Sequence, residues 1–436
     1  MHDDFSERLR MQLRHRIRPM RGRDPREPDR QTTPLELLYD LTYVVAFAAA
    51  SDLLAEHLGA GAVWSAIGAF AFAVWAVSWA WFNYSWFASA FGNDDVVLRI
   101  ATIVQMVGVI VLTFGLPRSF AAAAEGESPN NALMVAGYVV MRVPLIVLWL
   151  RAGREDQAHR RNAVSWVVVI AVAQVGWILT VLLPMPVDVT VAAIVVLVAF
   201  EMVAPVVATT RLGHSPWNAG HVAERFSLLT LITIGEVIAG TTAAVGALTN
   251  EAGWSIEAVL IAASGLFIAA AVWWTYTLVP SRLVLERLPE RTMSWRYAHF
   301  ALFGTITAIG AGLHLTTLAV EHGGVTLLGI ALALTVPFAL TVIVMLAIWS
   351  VLMRSFDLSH VPLVLATLVP LLAAVVVGAL VGPGEAFDTA APGSSGALSA
   401  VVGLVALSAV VEVVGHEAVG YRHTMHAWRR TAPVAG

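Results

Sequence analysis

Twelve separate apolar runs, each about 20 residues long, constrain this chain more than any other feature. A helix needs roughly 20 apolar residues to cross the hydrocarbon core of a bilayer. Strands of a membrane barrel are instead short and alternate in polarity. The sequence therefore predicts an all-α, polytopic transmembrane helix bundle of about twelve helices, numbered 1 to 12 in chain order. They lie at about 34–57, 62–86, 96–117, 131–150, 163–183, 189–210, 222–246, 256–279, 298–320, 326–351, 361–381 and 397–419.

The composition excludes a soluble protein. Of the 436 residues, 58% are hydrophobic and 13% are charged, whereas soluble domains carry about 25% charged residues. The chain has no cysteine, which excludes disulfides, thiolate nucleophiles and Cys-bound metals. No loop is long enough for a soluble catalytic domain, so the function must lie among the helices or on their short connections.

The arginines predict the orientation, because short cytoplasmic loops collect positive charge. All 26 basic residues are arginine. With both termini in the cytoplasm, 22 of them lie on the inner side and Arg118 alone lies in an outer loop. The absence of lysine, with many Ala, Val and Gly residues, suggests a bacterial source. We therefore expect a multi-pass protein of the bacterial cell (inner) membrane with its N- and C-termini inside.

Two tails and two repeats make up the predicted organisation. Residues 1–32 hold nine arginines and are predicted to be a disordered cytoplasmic tail; residues 422–436 form a second cytoplasmic tail. Between them, 33–210 and 211–421 are predicted to be six-helix membrane repeats. An even number of helices per repeat makes the two repeats parallel, related by an axis along the membrane normal.

Two matches support the repeat. Glu, Leu and Thr recur in register in the helix 1 segment beginning at Glu36 and the helix 7 segment beginning at Glu224. Helices 2 and 8 end in similar aromatic runs, which begin at Trp81 and Trp273. The alternative is chance similarity between apolar sequences.

Charged residues within the spans are the first candidates for function, since each costs roughly 2.5–3.5 kcal/mol to insert. Glu36 and Asp40 are four residues apart on helix 1 and therefore share a face. Arg99 on helix 3 enters from the same side. We expect these three side chains to form a carboxylate–arginine cluster, which is either an ion or proton site or a buried salt bridge that fixes helix packing.

Glu236 on helix 7 is the residue that we would substitute first, because it lies near mid-membrane. Gly235 and Gly240 flank it and would allow a neighbouring backbone to approach closely. Arg142 on helix 4 and Glu201 on helix 6 lie at similar depth. These two residues can pair with each other or with Glu236.

Further intramembrane polar residues complete the predicted pathway. They are Asn83, Tyr84, Glu224, Arg225, Tyr276 and His299. His314, and the pairs Glu412/His416 and His423/His426, have spacings that permit metal ligation, but no zinc-binding pattern accompanies them. We therefore predict no catalytic residue, cofactor or metal site. The expected partners are the lipid bilayer and a small ion or solute, without nucleic acid; a homo-oligomer is left open.

Four segments carry a family resemblance. They are Pro34-Leu-Glu-Leu-Leu-Tyr-Asp-Leu-Thr-Tyr-Val-Val-Ala-Phe, His221-Val-Ala-Glu-Arg-Phe-Ser-Leu-Leu-Thr-Leu-Ile-Thr-Ile-Gly-Glu, Gly137-Tyr138…Arg142, and Trp273-Trp274-x-Tyr276…Tyr297-x-His299. Over about 34–350 the chain resembles the bacterial low temperature requirement protein A family. It departs from the family pattern at Tyr39 and Thr42. The family name implies a role in growth in the cold and names no substrate.

A fainter likeness is to six-helix-repeat potassium channels, which carry a Phe-Ser-Asp motif on helix 1. Here Leu38-Tyr39-Asp40 takes that place without the serine, so potassium selectivity is not carried over.

The hypothesis that follows is a protein that moves a small solute or ion, with polar residues of helices 1–3 and 7–9 lining the pathway. One alternative is a membrane-embedded lipid-modifying enzyme that uses Glu/His pairs as acid–base groups. The other is a structural or sensory membrane protein whose buried charges are only internal salt bridges.

Overall fold

The computed structural model describes residues 17–28, 30–355 and 360–431. Within these residues there is no strand, and twelve helices are long and apolar enough to span a membrane. They are α1 (Pro34–Gly59), α2 (Val63–Phe91), α3 (Val96–Glu125), α4 (Ala132–Glu155), α5 (Arg160–Leu182), α6 (Val187–Leu212), α7 (Ala219–Ala252), α8 (Ile256–Thr277), α9 (Thr292–His322), α10 (Leu327–Met353), α11 (Val361–Leu380) and α12 (Ser394–Gly415). The predicted all-α class and the number of spans are confirmed.

Shorter helices lie between and after the spans. Ser281–Arg287 and the 3-10 turn Pro289–Arg291 connect α8 to α9. After α12, a π-helical turn (His416–Gly420) leads into a helix over Tyr421–Thr431, so most of the predicted C-terminal tail is helical. Residues 432–436 lie outside the described residues.

Polar caps begin several of these helices. The Ser255 hydroxyl accepts a hydrogen bond from the backbone N–H of Ala258 at 3.2 Å, at the start of α8. The Thr326 hydroxyl accepts from Gly329 at 3.0 Å, at the start of α10. Each cap satisfies a backbone donor that has no partner within the helix.

The chain divides into two compact units. Unit 1 comprises 1–43, 79–115 and 128–222; unit 2 comprises 44–78, 116–127 and 223–436. Helices α4–α6 therefore lie wholly in unit 1 and α8–α12 in unit 2, whereas α1, α2, α3 and α7 contribute to both. The predicted repeat halves and their parallel relationship stay predictions.

Unit 1 has an aromatic core between its helices. Trp149 of α4 stacks on Trp166 of α5, with ring centroids 5.3 Å apart and planes within 4°, and Phe87 of α2 meets Trp149 edge-on at 5.0 Å. Elsewhere in the unit, small residues let two helices meet. A Cβ placed on Gly108 of α3 would lie 2.7 Å from the carbonyl oxygen of Gly137 of α4, so these backbones touch directly.

Helix α6 is the least buried span of unit 1. Its buried residues are only Thr190, Glu201, Pro205 and Thr209. Val195, Val196 and Val203, which lie between them, are each more than half exposed. Since lipid tails are as apolar as valine, hydrophobic burial alone does not hold such a helix in place.

The predicted disordered tail differs from the structure in its second half. Residues 1–16 lie outside the described residues. Residues 17–28 and 30–33, which we call the N-terminal strap, contain no helix but are hydrogen-bonded to unit 1. Gly22 N–H donates to Asp156 at 2.7 Å, and the Asn218 side-chain amide donates to the carbonyls of Pro25 and Glu27 at 3.1 and 3.0 Å. In this segment the chain folds back, and its backbone groups find specific partners.

Candidate functional site

Glu236 of α7 is a buried carboxylate in unit 2, with only 4% of the residue exposed. Among the described residues, none donates a hydrogen bond to its carboxylate and no arginine or histidine lies within ion-pair distance. Buried carboxylates are ordinarily paired or hydrogen-bonded. Glu236 therefore stands apart from the other intramembrane acids.

Asp52 of α1 and His314 of α9 belong to the same site. The Asp52 carboxylate interacts electrostatically with that of Glu236, and its Oδ1 lies 3.4 Å from Nδ1 of His314. The side chain of Asp52 is 62% exposed and that of His314 is 21% exposed. An accessible acid thus stands beside a buried one, and we call Asp52, Glu236 and His314 the carboxylate–histidine site.

Glu236 is among the residues predicted from the sequence, but Asp52 is not, and His314 is named there only as a residue whose spacing permits metal ligation. The signal for Asp52 was present in the sequence, because it is a third acid within the first apolar run. Its relation to Glu236 depends on the packing of α1 against two helices that are far away in sequence.

Glycines bring α7 and α9 together beside Glu236. A Cβ on Gly310 would lie 2.7 Å from the carbonyl oxygen of Glu236, and one on Gly240 would lie 2.6 Å from the carbonyl oxygen of Gly310. The close approach predicted for Gly240 is therefore present. At Gly235, in contrast, an added Cβ would have no neighbour within 4 Å.

Chemically, the carboxylate–histidine site has the groups needed to bind a small cation or a proton. Two carboxylates near each other cannot both hold a charge without mutual repulsion. A proton on one of them, or a cation with affinity for oxygen ligands, removes that repulsion. His314 adds an imidazole, which can donate or accept a hydrogen bond at this site.

Arg142 and Glu201 pair with each other in unit 1. Nη2 of Arg142 lies 3.8 Å from Oε2 of Glu201, and it donates to the Tyr138 hydroxyl at 2.5 Å. Glu201 in turn accepts hydrogen bonds from Tyr138 at 2.5 Å, from Trp177 at 2.7 Å and from Trp79. Of the two pairings left open by the sequence, the Arg142–Glu201 pair is present.

The Glu201 network has a structural role. Its donors come from α2, α4 and α5, while Glu201 is one of the few buried residues of α6. Interhelical hydrogen bonds contribute to helix association within a membrane. The network therefore fastens the poorly buried α6 to the rest of unit 1.

The expected cluster of Glu36, Asp40 and Arg99 does not form. Arg99 pairs with Asp94 at 2.7 Å, on a half-exposed surface at the start of α3. Asp40 is buried and accepts a hydrogen bond from the Trp81 indole at 2.6 Å. Because Asp94, five residues earlier in the chain, neutralises Arg99, the arginine does not pair with the acids of helix 1.

Glu36 caps its own helix. Thr33 and Glu36 form a reciprocal capping box: the Thr33 N–H donates to Glu36 at 2.8 Å, and the Glu36 N–H donates to the Thr33 hydroxyl at 3.3 Å. This arrangement satisfies two backbone donors at the start of a helix. Glu36 Oε1 also lies 3.2 Å from Nε2 of His221, which is fully buried.

The remaining predicted pathway residues of unit 1 are satisfied locally. The Asn83 amide donates to the carbonyl of Trp79, one turn earlier in α2, at 2.7 Å. The Tyr84 hydroxyl is hydrogen-bonded to Thr102 of α3 at 2.9 Å. These contacts join helices or satisfy buried groups and leave no open site.

In unit 2, Tyr276 and His299 form a pair. The Tyr276 hydroxyl lies 3.2 Å from Nε2 of His299, and Nδ1 of His299 is 2.9 Å from the carbonyl oxygen of Trp295. Arg225 is fully buried near the start of α7, whereas Glu224 is partly exposed. The predicted residues thus occupy several places, and Glu236 is the one that belongs to the carboxylate–histidine site.

Outside the membrane spans, Asp95 anchors the N-terminal strap. It accepts hydrogen bonds from Arg151 at 2.7 Å, from Arg18 N–H at 3.1 Å and from Leu98 N–H at 2.9 Å. Burial raises the pKa of Asp95, but these donors more than offset that effect and hold the pKa below its ordinary value. Asp95 therefore joins the strap, the end of α4 and the start of α3.

Comparison with known proteins gives one match. No curated protein sequence and no solved structure is similar to the chain. The family model for "Bacterial low temperature requirement A protein (LtrA)" matches residues 31–395, a range that includes Asp52, Glu236 and His314. The chain therefore belongs to the bacterial low temperature requirement A protein family and is a multi-pass membrane protein of that family.

Proposed function

We propose that this protein moves a proton or another small monovalent cation across the membrane, with Glu236 as the central binding group. The observation that carries this proposal is the lone carboxylate of Glu236, buried beside the accessible Asp52. A charged side chain without a partner is expensive within a bilayer. A cation that binds and leaves supplies a partner that the fold itself does not provide.

The contrast with Glu201 supports this role. Glu201 accepts hydrogen bonds from three donors and has an arginine within 4 Å, so its charge is already compensated by the protein. Glu236 has no such compensation among the described residues. Of the two buried acids, only Glu236 retains the capacity to take up an ion.

Flux through purified protein in liposomes tests the proposal. Under an imposed pH, sodium or potassium gradient, the wild type is expected to carry one of these cations. Glu236→Gln is expected to abolish that flux, and Asp52→Asn to reduce it. Glu257→Gln, at a partly exposed position early in α8, removes one carboxylate elsewhere and should leave the flux unchanged.

Two results would overturn the proposal. One is the absence of flux for all three cations in wild-type liposomes that contain folded protein. The other is a Glu236→Gln variant that is inserted at normal abundance and carries the cation at the wild-type rate.

We further propose that both termini face the cytoplasm, in the inner membrane of a bacterium. The arginine distribution supports this orientation. Because the natural sequence has no cysteine, single cysteines at Asp24 and Trp428 can be labelled without background. In intact cells, a membrane-impermeant maleimide should label neither site until the membrane is permeabilised. Labelling from outside at either site would contradict the orientation.

A further inference from the structure

An apolar groove lies between α5 and α6 on the surface of unit 1. Its volume is about 960 Å³. Val164 and Val168 of α5 face Val203 and Val207 of α6 across it, and each of these valines exposes more than 40% of its side chain. Within a membrane, such a surface faces lipid tails.

Three arginines border one end of this groove. Arg160 and Arg161 begin α5, and Arg211 lies in the last turn of α6. All three are exposed. None of their guanidinium groups forms a hydrogen bond or an ion pair with another described residue.

The acids nearest in sequence have other partners. Glu155 pairs with Arg151 at 3.0 Å. Asp156 pairs with His159 at 2.9 Å and accepts the N–H of Gly22. Burial raises the pKa of Asp156, but these hydrogen bonds outweigh it and lower the pKa below the ordinary value. The positive charge of the three arginines is therefore not neutralised by these acids.

A buried asparagine brings the two helix ends together. Asn162, only 2% exposed, donates to the carbonyl of Gly213 at 2.7 Å and accepts from the Ser215 hydroxyl at 2.5 Å. Gly213 turns the chain after α6 with a φ of 99°, which glycine adopts readily. The position of Arg211 next to the start of α5 is thus fixed by the fold.

We propose that this groove binds an anionic phospholipid, with the phosphate at Arg160, Arg161 and Arg211 and an acyl chain along the valines. Arginine suits phosphate because its planar guanidinium donates two parallel hydrogen bonds. Basic pockets between transmembrane helices bind anionic headgroups in this way. The groove supplies the apolar surface that a free phosphate would not use.

The site also explains what covers the poorly buried α6. The Glu201 network fastens one face of this helix, and a bound lipid bridges its free face to α5. The lipid is thus a stabilising component of unit 1, separate from the carboxylate–histidine site.

Native mass spectrometry of the full chain in detergent tests the proposal. The probes are phosphatidylglycerol and phosphatidylcholine with identical acyl chains. We expect the wild type to retain phosphatidylglycerol preferentially. The triple variant R160Q/R161Q/R211Q should weaken that binding on the order of 100-fold, at about one factor of five per arginine.

A matched control removes the same charge elsewhere. R422Q/R429Q/R430Q changes three exposed arginines of the C-terminal helix and should keep the preference. A second variant, Val168→Trp, leaves all arginines in place but fills the groove, and it should also reduce retention. Thermal unfolding of each variant without added lipid shows whether it remains folded.

Three outcomes would overturn the proposal: equal loss of phosphatidylglycerol in both triple variants, no loss in either, or full competition by water-soluble glycerol phosphate. The first outcome would show that phosphatidylglycerol binds through the overall positive charge of the protein. The second would show that the three arginines do not bind it, and the third would show that the acyl chain does not contribute to binding.

Discussion

Trp177 donates its indole N–H to Glu201 across 2.7 Å, and this bond joins α5 to α6 within the membrane. The same carboxylate is the partner of the buried Arg142. Glu201→Leu should therefore lower the free energy of unfolding by about 3–5 kcal/mol, because it leaves a buried arginine without its carboxylate. Thermal unfolding in detergent, followed by circular dichroism, measures the effect.

The double variant R142M/E201L is the informative control for this pair. It removes both charges together, so it should be more stable than Glu201→Leu alone. The effects of the single variants Arg142→Met and Glu201→Leu on the free energy of unfolding should not add up to that of the double variant. If they do, Arg142 and Glu201 do not stabilise each other, and the structural role assigned to their pairing is wrong.

Gly310→Ala should destabilise unit 2. Its new Cβ would meet the Glu236 carbonyl oxygen at 2.7 Å, and overpacking of this kind costs about 1–3 kcal/mol. Gly235→Ala, one residue before Glu236, has open space and should be neutral or stabilising, since alanine favours a helix by up to about 1 kcal/mol. The melting temperatures of the two variants test this prediction. An equal change in both would contradict the close contact between Gly310 and the backbone of Glu236.

Asp95→Asn should destabilise the protein in a pH-dependent way. The folded pKa of Asp95 is below its ordinary value, so its charge contributes stability above the unfolded pKa of about 3.9. That contribution is lost as the pH falls through the folded pKa. Asparagine keeps the helix cap but loses the charge-assisted hydrogen bond with Arg151, so the variant should lose about 1–2 kcal/mol at pH 7. The difference in stability from wild type should narrow below about pH 4.

Unfolding midpoints at pH 7, 5 and 3 check this prediction. Asp188→Asn, at an exposed site in the first turn of α6, is the control and should show a smaller difference from wild type at pH 7. A constant gap between Asp95→Asn and wild type at all three pH values would show that the charge of Asp95 is not what matters.

Asn218→Ala should release the N-terminal strap. The variant loses both hydrogen bonds to the carbonyls of Pro25 and Glu27. Because the strap is rich in arginine, trypsin should cut it several times faster, with the rest of the chain intact. Asn131→Ala, at another buried asparagine of unit 1, should leave the cleavage rate unchanged; a faster rate there too would indicate general loosening.

The membrane spans and the helix cap at Glu36 can be predicted from the sequence, whereas most contacts between helices that are far apart in the chain cannot. The apolar runs predicted all twelve spans, because length and hydropathy suffice for that purpose. The capping role of Glu36 was also readable, since Thr33 precedes it by three residues. The partners of Glu201 could not be predicted in this way. Trp79, for example, lies 122 residues earlier, and only the packing of α2 against α6 brings the two residues together.

The carboxylate–histidine site shows the same division. Glu236 was identified because an acid in an apolar run is conspicuous. Asp52 is also an acid in an apolar run, but it lies near the end of helix 1, away from Glu36 and Asp40, on which the predicted cluster depends. The proximity of Asp52 and Glu236 follows from the packing of α1, α7 and α9, which no local pattern predicts.

The crossing of α7 and α9 restricts how this site can open. Main-chain atoms of the two helices touch at Gly310 and Gly240, so neither helix can slide along the other without a collision of backbones. Asp52 lies on a different helix, and its only ion-pair contact among the described residues is the one at 3.4 Å with His314. If the proposed cation transport proceeds by alternating access, we expect the backbone around Glu236 to stay in place. The segment of α1 that carries Asp52 would then be the part that moves to open and close the site.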